Sequence, residues 1–300
     1  MASKTDIPTK SGVFATVGPA YLDIVDRERS VPWWRDLVGL HVVGEDGDTV
    51  AMGVDGEPLL FLRERATRPV RRGYSGLYHV AVHLPDELTL ARFLARLLAA
   101  RVPFSPTDHL VAKSLYLSDP DGLGLEVTLD TPERVKVARW AEDGREPELI
   151  DADGQRRSGL DPLDLEAILD TLPDDDVWQP VPTGTRLGHV QMSVPDFEEA
   201  YSFYRDRLGL LQANHVRSIG WGDLGGGGPL THLVALNQWQ GAGAPPRPPE
   251  MAGMDRFVLH YASQDRLDAA LGKVDDATER DDGWLVHDPA GNSIILRAAA

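Results

Sequence analysis

The sequence predicts an α+β protein of four strand–helix–three-strand (βαβββ) modules, forming two paired, cupped domains of mixed β-sheet. Three observations lead there: the chain repeats itself at a constant offset, the segments opening its modules alternate with period two, and two of its helical stretches stop at matching glycines. Val31–Leu40 (VPWWRDLVGL) is echoed 170 residues later by Ser202–Leu210 (SFYRDRLGL), and the same offset lays Val17–Leu22 on Leu187–Met192. Asp119–Glu126 (DPDGLGLE) returns as Asp288–Ile295 (DPAGNSII) at an offset of 169.

Taken in order, Val17–Ile24 alternates as a strand and is followed by a helix over Ser30–Val38, which Gly39 ends. Thr49–Gly53 and Pro58–Arg63 read as short strands. Leu77–Leu84 opens the second module, and the helix Glu87–Ala100 carries Leu88, Leu90, Phe93, Leu94, Leu97 and Leu98 on one face. Strands Lys113–Leu117 and Gly124–Leu129 complete it. In the second half the helix Phe197–Leu208 ends at Gly209. The modules cover about 13–64, 74–130, 184–240 and 252–298, which gives a first domain over 13–130 and a second over 184–298. Between them, 131–183 is an acidic connector with one helix, Asp161–Leu172, capped by Asp161. The run Gly225–Gly228 lacks the Lys-Ser/Thr of a phosphate loop and reads as a flexible hairpin or lid.

Three hundred residues with 42% apolar content suit about two domains. A net charge of −17 repels phosphate backbones and anionic lipid, which argues against nucleic acid or membrane as partner. Without cysteine there is no disulfide, thiolate metal site or cysteine nucleophile. Met1–Lys10 has no apolar signal region, and stretches such as Leu94–Ala100 are interrupted by arginine, so the expectation is a soluble, cytoplasmic protein.

Alternation sorts the strands into faces. In Leu77–Leu84, Tyr78, Val80, Val82 and Leu84 point to a core, leaving His79, Ala81 and His83 opposite. In Leu187–Val194, His189, Gln191 and Ser193 share the non-core face, and in Gly124–Leu129 Glu126 does so with Gly124 and Thr128. Either His79, Glu126 and His189 converge on one concave face, or each is a solvated polar residue on an exposed strand. Taken singly, the second account is the simpler.

The repeated module, with Gly76–Ala81 (GLYHVA), Asp108–Val111 (DHLV), Leu115–Glu126 (LYLSDPDGLGLE) and Leu187–Gln191 (LGHVQ), resembles the vicinal oxygen chelate superfamily, and within it the type I extradiol catechol 2,3-dioxygenases. The resemblance spans nearly the whole chain outside the connector. It implies a mononuclear non-haem Fe(II), in some members Mn(II), held by two histidines and one glutamate, here His79, His189 and Glu126. Pro19, Arg256 and Ile295 stand at corresponding positions of the terminal modules, so only modules two and three keep a complete ligand set and must face each other. His232 matches the family's acid–base histidine, Tyr116 a tyrosine that hydrogen-bonds substrate, and His109 a histidine near the pocket mouth. His83, Asn237 and Trp239 are assigned to the substrate pocket, and His41, His215, His260 and His287 are read as structural. The implied reaction cleaves an aromatic diol with O2, and a homo-oligomer stays open. Departures at Ala112-Lys113 and the lone His232 ahead of Asn237-Gln238-Trp239 bear on substrate identity more than on metal. The rival readings on the same fold are a glyoxalase-like isomerase or lyase, which commonly uses two carboxylates, and a non-enzymatic binding or resistance protein.

Overall fold

The structure is a computed structural model and describes residues 12–139, 147–173, 177–228 and 232–299. Each module is a first strand, a helix and three further strands: Ala15–Ile24 to Glu57–Glu64, Gly76–His83 to Gly124–Asp130, Arg186–Ser193 to Val234–Asn237, and Gly253–Tyr261 to Ser293–Ala298. In every module the first and last strands lie side by side in parallel. Two eight-stranded mixed sheets result. One joins modules two and three through antiparallel pairing of Gly76–His83 with Arg186–Ser193. The other joins modules one and four through Ala15–Ile24 and Gly253–Tyr261. Thus, while the sequence repeats by halves, each sheet takes one module from each half.

The helices cap as their sequences dictate, with differences in the final turns. Asp26, Asp86, Asp196 and Ser263 accept backbone N–H groups at four helix starts. Where uniform helices are expected over Ser30–Val38 and Phe197–Leu208, the last turn widens to a π-turn at Trp33–Val38 and Phe203–Arg207. The wide turns carry the repeat equivalents Trp34 and Tyr204, both fully buried. Gly39 closes the first at φ 95°, a conformation that costs glycine nothing.

The helix Glu87–Ala100 departs from its expected apolar face: Leu98 is 47% exposed, whereas Arg96 is buried. Its guanidinium donates to the carbonyls of Leu37, Val38, Val177 and Gln179, tying module two to the end of the module-one helix and to the connector. Burial lowers its pKa to about 10. The connector holds more than one helix. It forms a three-stranded antiparallel sheet, Val135–Arg139, Glu148–Asp151 and Arg156–Arg157, and its helix is shorter than expected, Leu165–Leu169, capped by Asp164 rather than Asp161. Asp161 is instead bound by Arg157 and Ser158. The run read as a lid is packed at its start: Gly226 and Gly227 are buried, and the Gly226 carbonyl accepts from Phe14 and Ala15.

Candidate metal centre and active site

Register brings three chemistry-bearing side chains together on the sheet of modules two and three. His189 pairs with Ala81, and Ala81 in turn pairs with Glu126, so the three lie abreast on adjacent strands. His79 stands two residues before Ala81 on the same face. His79 Nε2 and His189 Nε2 each lie 3.1 Å from Glu126 Oε2 and 3.2 Å from each other. All three residues are buried, and they are the one group of potential metal-ligating residues found among the described residues.

The donor set fits a divalent cation. A metal ~2.1–2.2 Å from each of three donors at right angles holds those donors ~3.0–3.1 Å apart, one triangular face of an octahedron. Protonation agrees. Burial works to raise the Glu126 carboxyl, but the two imidazoles, His189 foremost, outweigh it and hold it well below the usual range. Burial and the neighbouring His232 push His189 well below an ordinary imidazole. A carboxylate beside a neutral imidazole offers lone pairs, as metal binding requires. In the other sheet the corresponding face is closed. Arg256 lies over the Tyr21 ring at 3.8 Å, and Tyr21 stacks on Phe61 at 4.4 Å.

The triad opens on a cavity of about 1180 Å³ whose lining includes Tyr116, His109, His232, Trp221 and Trp239. His232, just ahead of the strand Val234–Asn237, has its ring 4.1 Å from that of His189, and its Nδ1 lies 3.2 Å from Asp223 Oδ2. Burial lowers the pKa of His232 although Asp223 works the other way. Burial raises Asp223, opposed by His232 and by donors from Asn214. Tyr116 donates to His109 Nε2 at 2.8 Å, because His109 Nδ1–H is committed to the Gly159 carbonyl at 2.6 Å. Burial and then Glu126 raise the Tyr116 hydroxyl well above 10.

Two expected placements change. Tyr78 leaves the core at the strand's start: it is 39% exposed and meets Trp239 edge-on at the cavity rim. Asn237 does not reach the cavity. It is fully buried, and its Oδ1 accepts from Ser193 Oγ and the Trp239 N–H, so it fixes the turn that presents Trp239. His83 does line the cavity, beside His189, and is hydrogen-bonded to its Nδ1 at 3.2 Å. Sequence reasoning missed Asp130, Asp223 and the connector residues Leu149, Gly159 and Leu160, which line the cavity, and Arg186, which holds Asp130. Asp223 carries the one signal that pointed inward, an acidic residue in a strand between apolar neighbours.

A single buried face of two imidazoles and one carboxylate, on a cupped sheet of paired modules, is a candidate site for one metal ion. Residues 23–127 match the model of the Glyoxalase/Bleomycin resistance protein/Dioxygenase superfamily. The chain is 30% identical over 286 residues to the catechol-2,3-dioxygenase of Bacillus subtilis (strain 168), covering 93% of this chain and 95% of that protein. The chain belongs to this superfamily. Among solved structures, a putative dioxygenase from Bacillus subtilis subsp. subtilis str. 168 superposes with a TM-score of 0.61 at 12% identity, over 96% of this chain and 86% of that one. Glyoxalase I from Zea mays gives 0.55 at 14%, over 94% and 92%. These two likenesses are of fold.

Proposed function

We propose that this protein is an extradiol ring-cleaving dioxygenase that acts on a catechol-type aromatic diol with O2 at a mononuclear Fe(II), with Mn(II) as the alternative metal. The observation that carries the reading is the His79–His189–Glu126 face with an acid–base histidine on one side and a tyrosine on the other. When bound, the ion supplies Lewis acidity to the diol hydroxyls and a common site for diol and O2. His79, His189 and Glu126 hold it. His232 takes a proton from a diol hydroxyl and returns it to product, its ring steadied by Asp223 beside Nδ1. The Tyr116 hydroxyl, its own proton directed to His109, accepts a hydrogen bond from a substrate hydroxyl and so orients the diol. Trp221, Trp239 and Val216 help give the cavity an apolar wall suited to an aromatic ring.

The carboxylates speak against the isomerase alternative. Besides Glu126, the cavity-lining acids are Asp130 and Asp223. Asp130 is held by Arg186 and His83, and Asp223 by Asn214. The test loads the full chain with Fe(II) without oxygen, then adds catechol and O2. Formation of a ring-opened semialdehyde with one O2 consumed per diol is expected. A metal-loaded protein that consumes no O2 with any catechol, yet isomerises a hemithioacetal, would overturn the proposal.

A further inference from the structure

Behind the triad runs a chain of polar contacts from the buried His189 out to the half-buried Asp130 and Arg186. His189 Nδ1 meets His83 Nε2 at 3.2 Å, His83 Nδ1 meets Asp130 Oδ2 at 3.1 Å, and Arg186 donates to the same oxygen at 2.8 Å. His83 and His189 are 4% and 3% exposed. The place for His83 is made by Gly188, next to the ligand: a Cβ there would stand 2.0 Å from the His83 ring. Arg186 is paired opposite His83 on the neighbouring strand, so backbone register delivers every member.

The direction of the hydrogen bonds follows from the last acceptor. Asp130 is gripped by a guanidinium and, as a carboxylate, only accepts. Arg186 Nη2 also lies 3.1 Å from His83 Nδ1, but its shorter bond goes to Asp130, and a bare Nδ1 would face the carboxylate at 3.1 Å with no proton between them. His83 therefore donates from Nδ1, which leaves Nε2 as its acceptor. His189 must then donate from Nδ1. Its Nε2 is left bare, and Nε2 is the atom facing Glu126 and His79. We propose that His83, anchored by Asp130 and Arg186, is a positioning residue that fixes the Nδ1–H tautomer of His189 and so presents its Nε2 lone pair to the metal. This inference rests on the metal-centre reading but not on the identity of the organic substrate.

The second sheet supplies an internal comparison. His260 occupies the position of His83 and lies over Gly18 in the same manner, a Cβ there standing 2.2 Å from its ring. Packing of a histidine on a glycine is thus a property of the repeat. The relay is not: His260 faces the guanidinium of Arg297 at 3.2 Å, Pro19 stands for His189, and Ala299 stands for Asp130. The hydrogen-bond chain exists where the ligand set exists.

The test compares the wild-type chain with His83→Phe, His83→Gln, Asp130→Ala and His260→Phe. Fe(II) and Co(II) affinities are measured by chelator competition, and the electronic spectrum of each Co(II) form is recorded, with no diol present. His83→Phe and Asp130→Ala are expected to weaken metal binding ~10–100-fold and to alter the Co(II) bands, as loss of a partner behind a ligating histidine does. His83→Gln, whose amide both accepts and donates, should recover most of the affinity, and His260→Phe should match wild type. If His83→Phe fails to fold, Asp130→Ala carries the test. Wild-type affinity and spectrum in His83→Phe or, failing that, Asp130→Ala would overturn the relay. So would equal losses in His83→Phe, His83→Gln and His260→Phe. Failure to cleave catechol would sink the proposed reaction and leave this result standing.

Discussion

Replacing His232 by phenylalanine separates proton transfer from metal holding. The ring of His232 lies 4.1 Å from that of His189, yet the residue stands outside the ligand triad. The substitution removes a positioned acid–base while leaving three ligands in place. Asp223, which loses its neighbour, keeps three contacts from Asn214, its backbone N–H at 2.7 Å and its amide nitrogen at 3.2 and 3.3 Å, so the carboxylate remains satisfied and the strand intact. The expected loss is that of general acid–base catalysis, ~10²–10⁴ in kcat, or about 2.7–5.4 kcal/mol of activation free energy. The upper half of that range is expected because the site is buried and bulk water is a poor substitute. Metal per chain and diol binding should stay within about twofold of wild type, whereas kcat collapses. The pH profile gives a second reading. Burial lowers the His232 pKa, so the neutral base persists below pH 6.5 and wild-type activity falls on the acid side of that value. In the variant this acid limb disappears. A His232→Phe protein that no longer binds metal, or that turns over within threefold of wild type, would refute the assignment.

Metal analysis after anaerobic loading should find one ion per chain, and Pro19→His should add none, because Arg256 and Ile295 still occupy the opposing positions. Ala81→Leu, between His189 and Glu126 in register and fully buried, should abolish metal binding by occupying the space between the ligands; full metal content would contradict the register argument. Asp119, whose pKa burial raises to about 7, binds more protons folded than unfolded between about pH 4 and 7, so stability falls as pH rises through that window. Asp119→Asn retains an oxygen for the Asp121 and Leu123 N–H groups and should stabilise the protein by roughly 2 kcal/mol at pH 8 in denaturant melts, with no gain at pH 4. Trp239→Ala, at the exposed rim, should raise KM for an aromatic diol about 2–10-fold with kcat unchanged, as expected for loss of one aromatic face worth ~0.5–1.5 kcal/mol.

The module plan was legible because period-two alternation and internal repetition are local properties of the chain. Strand faces followed from it, which is why His79, Glu126 and His189 could be placed on non-core faces before their neighbours were known. What alternation does not carry is the partner across the sheet. Arg186 and Asp130 read as ordinary charges at strand ends, and only pairing across 103 residues sets Arg186 beside His83. Asn237 looked like a pocket residue by its place in the motif, but its side chain turns to Ser193 and the following backbone. Arg96 was hidden for a related reason: its acceptors are carbonyl ends supplied by module one and the connector. The connector sheet had no clear pattern because its strands are only two to five residues long.

The sheets differ in how the chain reaches them. Modules two and three are neighbours in sequence, so the sheet that carries the His79–His189–Glu126 triad is assembled from one unbroken stretch, roughly residues 76–237. The other is a clasp, its first strand at Ala15–Ile24 waiting for Gly253–Tyr261. During synthesis the inner sheet is complete in sequence before the last module has emerged, so the triad can come together while the outer one still lacks half its strands. Until then Ala15–Ile24 offers an unpaired edge, the kind of surface that seeks a partner on another chain. Closure spans well over two hundred residues, and its entropic cost grows only logarithmically with that length. Its delay is therefore one of order of arrival, and the step most exposed to misassembly is the docking of the last module onto the first.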